Sequence, residues 1–206
     1  MAFAQWLNPS KLSGNGNDTV SVSALSDNTG RVVRSTVMTF KASNVADVPL
    51  TINNAGKPEF VNLQATASVN KTGGTLTISG TSNSSKLIFR LGSGATLLLT
   101  IPAQYNANSV ATDNGVAIAG DPGAVAEYPF SNTFTGIGEN TSIDDLTAQL
   151  IVTDNAGNEA TCTITQAAGD AYLNVSPTTL NLDWNAYSEG TSASATVTSN
   201  TTWNID

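Results

Sequence analysis

Oxygen-bearing side chains around one short stretch of the sequence are the first candidates for chemistry. Asp154 and Asn158 lie in "TDNAGNEAT", and Asp144 precedes it by ten positions. Clustered carboxylate and amide oxygens are the ligands that Ca²⁺ prefers, so these three residues are candidate metal ligands. The stretch also fits a hairpin turn, because Asn and Gly favour tight turns. The turn is the preferred interpretation, and we expect no required metal.

Four acidic residues raise the question of hydrolysis. Asp121, Glu127, Glu139 and Asp144 could include the paired carboxylates of a glycosidase, but their spacing singles out no pair. The chain has no His, which removes the commonest general base and every Ser-His or Cys-His pair. We therefore expect no enzyme activity, no catalytic residue and no cofactor.

Two further kinds of residue could act on a ligand. Trp184 and Tyr187, in "DWNAYSEG", could form a platform on which a sugar ring stacks, although packing against their own loop is the preferred interpretation. Cys162 is the only cysteine, so no disulfide can form within the chain. In "ATCTITQ" it is expected to pack as a small hydrophobic core residue.

Composition and charge exclude several classes of partner. The 206 residues contain 8 Lys and Arg against 16 Asp and Glu, a net charge of −8. Phosphate backbones and anionic membrane surfaces both attract basic proteins, so neither nucleic acid nor a membrane is an expected partner. The first residues show no signal-peptide pattern, and no apolar run reaches transmembrane length.

Strand patterns dominate the elements that must position these residues. "DTVSVSAL" (18–25) and "GGTLTISGT" (73–81) alternate apolar and polar residues, as half-buried strands do. "AQLIVTDNAGNEATCTITQ" (148–166) predicts two strands joined by a turn. "IDDLTAQL" (143–150) could form one short helical turn. We expect an all-β fold of tandem immunoglobulin-like sandwiches without substantial helix.

Two similar joints divide the chain into three parts. "LTINNAGKPEFVNL" (50–63) and "CTITQAAGDAYLNV" (162–175) each end a strand in Asn or Gln before a small Ala-Gly joint. The expected parts are 1–57, 58–168 and 169–206. The middle part has the length of a complete sandwich, with an insert at about 91–145. In that insert the Gly-rich, acidic stretch 113–128 lacks the Lys of a phosphate loop and is expected to be exposed.

The two outer parts resemble halves of a known module. "WLNPSKLSGNGNDTVSVSALSDNTGRVVRSTVMTF" resembles the second half of a BACON domain, an immunoglobulin-like module of gut Bacteroidetes and their phages. "LNVSPTTLNLDWNAYSEGTSASATVTSNTTWNID" resembles its first half. Residues 62–90 and 148–166 resemble a middle copy. The family name implies carbohydrate binding, but it brings no motif that can be placed on residues here.

A half-module is not expected to stand alone, since its backbone edges and one apolar face would be exposed. Three arrangements remain open. The sequence could be a piece of a longer protein, the halves could pair within one chain, or they could pair between chains. We expect an oligomer whether or not the sequence is a piece of a longer protein, and if it is a piece, residues 1–57 are a candidate capsid anchor. Trp6 and Trp203 are expected to be buried in the shared sandwich.

The leading functional hypothesis is a structural phage virion protein, either a head fibre or a capsid decoration protein. Such a protein is made in the host cytoplasm and needs neither signal peptide nor disulfide. Its expected partners are capsid or other virion proteins and further copies of itself, with host-surface glycans as a further candidate. The alternative is an extracellular, cell-surface carbohydrate-binding module of a gut bacterium.

Overall fold

The computed structural model describes residues 4–182 and 192–206. Among them, one short helix, α1 (Pro122–Val125), accompanies a large set of strands. The strands are β1 (Leu7–Pro9), β2 (Val22–Ala24), β3 (Arg34–Phe40), β4 (Val48–Asn54), β5 (Val61–Leu63), β6 (Thr66–Val69), β7 (Gly74–Ser82), β8 (Leu87–Leu91), β9 (Gln104–Ala107), β10 (Val110–Asp113), β11 (Tyr128–Ile137), β12 (Leu146–Asp154), β13 (Glu159–Gln166), β14 (Leu173–Ser176) and β15 (Thr196–Ser199). The expected all-β fold class is confirmed.

Two facing sheets form the middle of the molecule. One has the strand order β10-β9-β11-β7-β5 and the other β6-β13-β12-β8. Only β6 and β13 run parallel to each other. Both sheets contribute to one core, in which Ile78 and Phe134 of the first sheet lie with Leu150 and Ile164 of the second. These four side chains are at most 2% exposed, so this part of the chain is a β-sandwich.

The pattern of the sequence explains why these strands bury one face. In β12, Ala148, Leu150 and Val152 are buried, whereas Gln149 between the first two is exposed. Successive side chains of a strand point to opposite faces, so this alternation places one apolar row in the core. The "DNAGN" stretch turns the chain between β12 and β13, and Cys162 returns in β13 fully buried. The expected hairpin and the expected buried cysteine are both confirmed.

The insert at about 91–145 is less peripheral than expected. It supplies β9, β10 and β11, and β11 lies at the centre of the five-stranded sheet, bonded to β7 along most of its length. Within 113–128, Ile118 and Tyr128 are buried, so the expectation of a wholly exposed stretch is wrong. Ile118 follows a turn at Gly115 and Tyr128 follows α1, and the glycine and acidic content of the stretch did not indicate these core positions.

The helical turn considered at 143–150 is also wrong. Residues 142–144 are bends, and β12 begins at Leu146. The only helix of the described residues is α1, whose first residue is Pro122. Proline is well suited to that position, since its fixed φ is preorganised for a helix and its missing N–H would have no partner there.

The outer parts of the chain form three separate two-stranded sheets. β1 pairs with β2, β3 with β4, and β14 with β15. In the described residues these strands have no further partner strand, so the two outer parts do not pair with each other within the chain. The edges of these strands are therefore left without neighbouring strands. Parts of the sheet faces are likewise exposed, although a facing sheet would cover them in a sandwich.

The burial expected for the two outer tryptophans is wrong for the single chain. Trp203 is 49% exposed, because within residues 4–182 and 192–206 no second sheet packs on β14 and β15. Trp6 is only partly buried, and the guanidinium of Arg34 lies 4.7 Å from the centroid of its ring. Such a contact is a cation–π interaction and not burial in a sandwich core.

This difference gives a test of where the stability of the fold lies. Phe134→Ala should lower the free energy of unfolding by about 3–5 kcal/mol, because it opens a cavity in a close-packed core. Trp203→Ala should cost about 1–2 kcal/mol in the monomer, since half of the indole is already in water. Urea unfolding followed by circular dichroism at low protein concentration measures both. Equal losses would contradict the exposed position of Trp203.

Candidate functional site: two joints and two open faces

A buried asparagine holds the joint between the first part of the chain and the middle sandwich. Asn83 directly follows β7 and is fully buried. Its Oδ1 accepts a hydrogen bond from the backbone N–H of Phe60 at 3.0 Å. Its Nδ2 donates to the backbone carbonyls of Lys57 and Pro58 at 3.2 Å and of Thr29 at 3.4 Å. One amide group thus ties three chain segments together, which we call the first joint.

Ion pairs surround the first joint. Arg31 contacts Asp121 next to α1, and Lys57 contacts Glu127 at 3.1 Å between nitrogen and oxygen. The hydrogen bond with Asp121 raises the pKa of Arg31 above its ordinary value. All four side chains are partly exposed, so each pair contributes little to stability. Both pairs nevertheless join residues 28–57 to the middle sandwich.

The backbones at the first joint approach each other closely. A Cβ added to Gly30 would lie 2.3 Å from the carbonyl carbon of Val125, and one added to Gly123 would lie 2.1 Å from the carbonyl oxygen of Asn83. Atoms cannot come that close, so only glycine fits at both places. The N–H of Arg31 donates to the carbonyl of Gly123 at 2.9 Å, which closes the contact.

A second joint repeats this arrangement at the other side of the sandwich. Asn200 directly follows β15, and its Oδ1 accepts a hydrogen bond from the N–H of Tyr172 at 3.0 Å. Its Nδ2 donates to the carbonyls of Thr141 at 3.1 Å and Asp170 at 2.8 Å. The carboxylate of Asp170 also contacts Lys71 of the middle sandwich.

The bonding partners of Asn83 and Asn200 correspond at a constant shift along the sequence, although the two asparagines themselves are 117 positions apart. Position 172 against 60, 170 against 58 and 141 against 29 all give a shift of 112. The same shift relates Asn28, whose Nδ2 donates to the carbonyl of Ala55, to Asn140, whose Nδ2 donates to that of Ala167. It also relates the backbone bond from Lys57 to Gly30 to the one from Gly169 to Ser142.

The strand pairs beside the joints follow the same shift. Met38 pairs with Leu50 between β3 and β4, as Leu150 pairs with Cys162 between β12 and β13. Leu173 pairs with Ser199 between β14 and β15, as Val61 pairs with Ser82 between β5 and β7. For the second strand of this last pair the shift is 117, position 199 against 82, because the connection between the strands is longer.

The β3–β4 hairpin leaves partly open the face that its counterpart buries, since Met38 is buried and only Phe40 and Leu50 on that face are exposed. The core-facing residues of β12 and β13 are at most 2% exposed. They are Ala148, Leu150, Val152, Cys162, Ile164 and Gln166. Their counterparts are Thr36, Met38, Phe40, Leu50, Ile52 and Asn54. Of these, Phe40 is 41% and Leu50 is 44% exposed. We call this surface the N-face.

A cleft of about 400 Å³ lies beside the N-face. Its walls are β3, with Met38 and Phe40, and the segment 11–20. That segment covers Met38, which is 6% exposed, and so closes a small part of the N-face. At its rim Lys11 bonds to Asp18 at 2.6 Å and lowers the pKa of that carboxyl group.

The β14–β15 pair has a corresponding open face. Leu173 is 54% exposed, whereas its counterpart Val61 in the sandwich is 7% exposed. Further apolar residues of this part are exposed by 43% or more. They are Val175, Leu180, Leu182, Trp203 and Ile205. Leu173 and Val175 are two positions apart in β14 and so share one strand face, and we call this surface the C-face.

The structure brings the candidate metal ligands Asp154 and Asn158 together in one turn and places Asp144 apart from them. Asp154 Oδ1 accepts bonds from the N–H groups of Ala156 at 2.9 Å and Asn158 at 2.8 Å, and its Oδ2 accepts one from Asn158 Nδ2 at 2.7 Å. The carboxylate is therefore the internal acceptor of the hairpin turn. Asp144 lies just before β12, and Asp154 is the last residue of that strand. A strand of nine residues is about 27 Å long, so the two carboxylates lie at opposite ends of β12. The described residues contain no group of three His, Cys, Asp or Glu that could hold a metal ion.

The acidic residues considered as a glycosidase pair have other surroundings. Asp121 and Glu127 form the ion pairs of the first joint. Glu139 and Asp144 lie on the exposed connection between β11 and β12, near the second joint. The two candidates for sugar stacking, Trp184 and Tyr187, lie outside the described residues.

The joints were missed by sequence reasoning, although a signal for them exists. "TSN" occurs at 81–83 and again at 198–200, and "DNT" at 27–29 returns as "ENT" at 139–141. Each motif carries one of the joint asparagines. Asparagine in such short motifs is usually assigned to turns. That its side chain forms hydrogen bonds with distant segments can be recognised only from the structure.

The first joint yields a mutational test. Asn83→Ala removes every side-chain hydrogen bond of the joint amide and leaves the Phe60 N–H and nearby carbonyls without that partner. We expect the free energy of unfolding to fall by about 2–4 kcal/mol, measured by urea unfolding. We also expect faster proteolysis between residues 54 and 60. Asn62→Ala, at an exposed position of β5, is the matched control and should change stability by less than about 0.5 kcal/mol. Equal effects of the two substitutions would contradict the role of Asn83.

A scan against protein-family models found no match to this chain, and a search of curated proteins found none either. Among the described residues, no helix is long and apolar enough to cross a membrane. The resemblance to the BACON domain stays a prediction.

Proposed function

We propose that the chain is a structural phage virion protein, a head fibre or capsid decoration protein built from successive copies of one immunoglobulin-like module. In this proposal residues 1–57 are the second half of a module, 58–168 a complete module and 169–206 the first half of another. The observation that carries the proposal is the repeated joint, in which Asn83 and Asn200 make corresponding bonds to corresponding segments.

A repeated rigid joint suits a protein that keeps modules at a fixed spacing. Gly74 of β7 lies next to Ile137, on the side of the second joint, whereas Ser82 precedes Asn83 of the first joint. The joints thus lie at opposite ends of a nine-residue strand, about 27 Å apart. Modules held in this way follow one another in series, as in a fibre.

The surface is compatible with display on a particle. The chain has a net negative charge, with 16 Asp and Glu against 8 Lys and Arg. A negative charge disfavours binding to the packaged nucleic acid. The partners in this proposal are capsid or other virion proteins and further copies of the chain. The proposed location is the virion, after synthesis in the host cytoplasm.

Detection in purified particles tests the proposal. Antibodies raised against the 206-residue chain should decorate the outside of phage particles in immunogold micrographs, and mass spectrometry of the same particles should detect its peptides. Antibodies first adsorbed on the purified chain should give no labelling. Absence from the particles would overturn the virion proposal. Specific retention of the chain on an array of host-surface polysaccharides, combined with that absence, would favour the carbohydrate-binding alternative.

A further inference from the structure

We propose that the N-face of one copy of the chain docks on the C-face of a second copy and completes a sandwich between them, head to tail. The proposal deepens the structural role proposed above and rests on it for its biological setting. It names which surfaces associate, in which register, and that the partner is a second copy.

The middle sandwich is the template for this contact. In it, the β12–β13 hairpin packs against β5 and shares one core with β7. The N-face belongs to the counterpart of that hairpin, and the C-face belongs to the counterparts of β5 and β7. The chain therefore carries both halves of an interface that it already forms once internally. No partner of other chemistry is needed to match either face.

The exposed residues agree with this pairing. Phe40 and Leu50 are 41% and 44% exposed, and their counterparts Val152 and Cys162 are fully buried. Leu173 on the C-face is 54% exposed, and its counterpart Val61 is 7% exposed. Soluble monomers rarely leave a contiguous apolar patch of this kind open, and burial of such surface is the main drive for association.

The template also gives the register of one strand contact. In the sandwich, Thr133 of β11 pairs with Thr77 of β7, and their hydroxyl oxygens are 3.0 Å apart on the outer face. A shift of 112 takes Thr133 to Ser21, beside β2, and a shift of 117 takes Thr77 to Ser194, beside β15. Ser21 of one copy should therefore lie opposite Ser194 of the second. Both residues are exposed in the single chain.

The geometry favours a second copy over closure within one chain. The N-face lies next to the first joint, and the C-face lies next to the second joint. The two joints lie at opposite ends of the sandwich. The side-chain amides of Asn83 and Asn200 and close backbone contacts hold the two joints, and these contacts oppose movement of either outer part toward the other. A head-to-tail contact between identical chains is heterologous, and it extends into filaments or closes into rings.

A disulfide test measures the register. The double variant Ser21→Cys/Ser194→Cys, mildly oxidised, should form covalent dimers and longer ladders in non-reducing gels, because directly opposed residues place their Cβ atoms within disulfide range. Native Cys162 is fully buried and will not interfere. The matched control, Ser21→Cys/Thr198→Cys, displaces one cysteine by four residues, about 13 Å, and should not crosslink. A disulfide confined to monomers would overturn the second-copy proposal, and so would the absence of any crosslink.

Complementary blocking variants test the head-to-tail arrangement. Leu50→Asp places a charge on the N-face and Leu173→Asp places one on the C-face, and either should weaken self-association at least about tenfold, since an unpaired carboxylate is costly to bury. When the two variants are mixed, the intact faces should pair and give a dimer of twice the 21.2 kDa chain mass in sedimentation velocity. Leu98→Asp, at a residue 89% exposed in the middle part, is the control and should assemble like the parent. All three positions are exposed, so the variants should keep the parent circular dichroism.

The outcomes separate this inference from the proposed function. Monomers at all concentrations, or a mixture of the two blocked variants that does not dimerise, would overturn the docking of the two faces even if the chain is found on phage particles. Conversely, assembly that follows the expected pattern supports the docking even where particles lack the chain, in which case only the virion proposal fails.

Discussion

An asparagine amide at each chain crossing, buried at Asn83 and half-buried at Asn200, is the interaction on which the arrangement of the described residues depends. Where the chain leaves one sheet for the next, backbone N–H and C=O groups lose their strand partners, and such groups are costly to bury unpaired. A primary amide offers both donors and an acceptor and carries no charge. Asn83 can therefore bond to Phe60 and to three carbonyls at once, whereas a buried carboxylate or ammonium would first lose its hydration.

The ion pairs around the first joint play a secondary part. Arg31–Asp121 and Lys57–Glu127 are partly exposed, so water and salt screen them. They select which surfaces meet, and the amide and the close approach of Gly30 to Val125 fix the distance. Two of the four acidic residues considered for hydrolytic chemistry, Asp121 and Glu127, thus have a structural explanation in the ion pairs they form.

The sequence predicts the strands better than it predicts the contacts between them. Alternation in 148–166 was sufficient for the hairpin and for buried Cys162, since period-2 burial depends on local pattern. The stretch 113–128 within the insert is misjudged because its glycines and acidic residues outnumber its core residues, such as Ile118 and Tyr128. Trp203 was expected in a core, but its burial depends on a facing sheet that no local pattern specifies. The asparagine joints escaped for the same reason, because their partners are distant in the chain.

The open faces carry the same chemistry as the core of the sandwich, and this equivalence links stability to assembly. Phe40 and Leu50 expose surface that Val152 and Cys162 remove from water, although the hairpins pair in the same register. The difference lies only in whether a second sheet is present. Apolar burial is non-directional, so by itself it would accept many partners. The joints restrict it, because they hold each face in the position that the corresponding residues of the sandwich occupy. The proposed contact between copies would take its specificity from the same strand register and amide bonds that give the middle sandwich one fold.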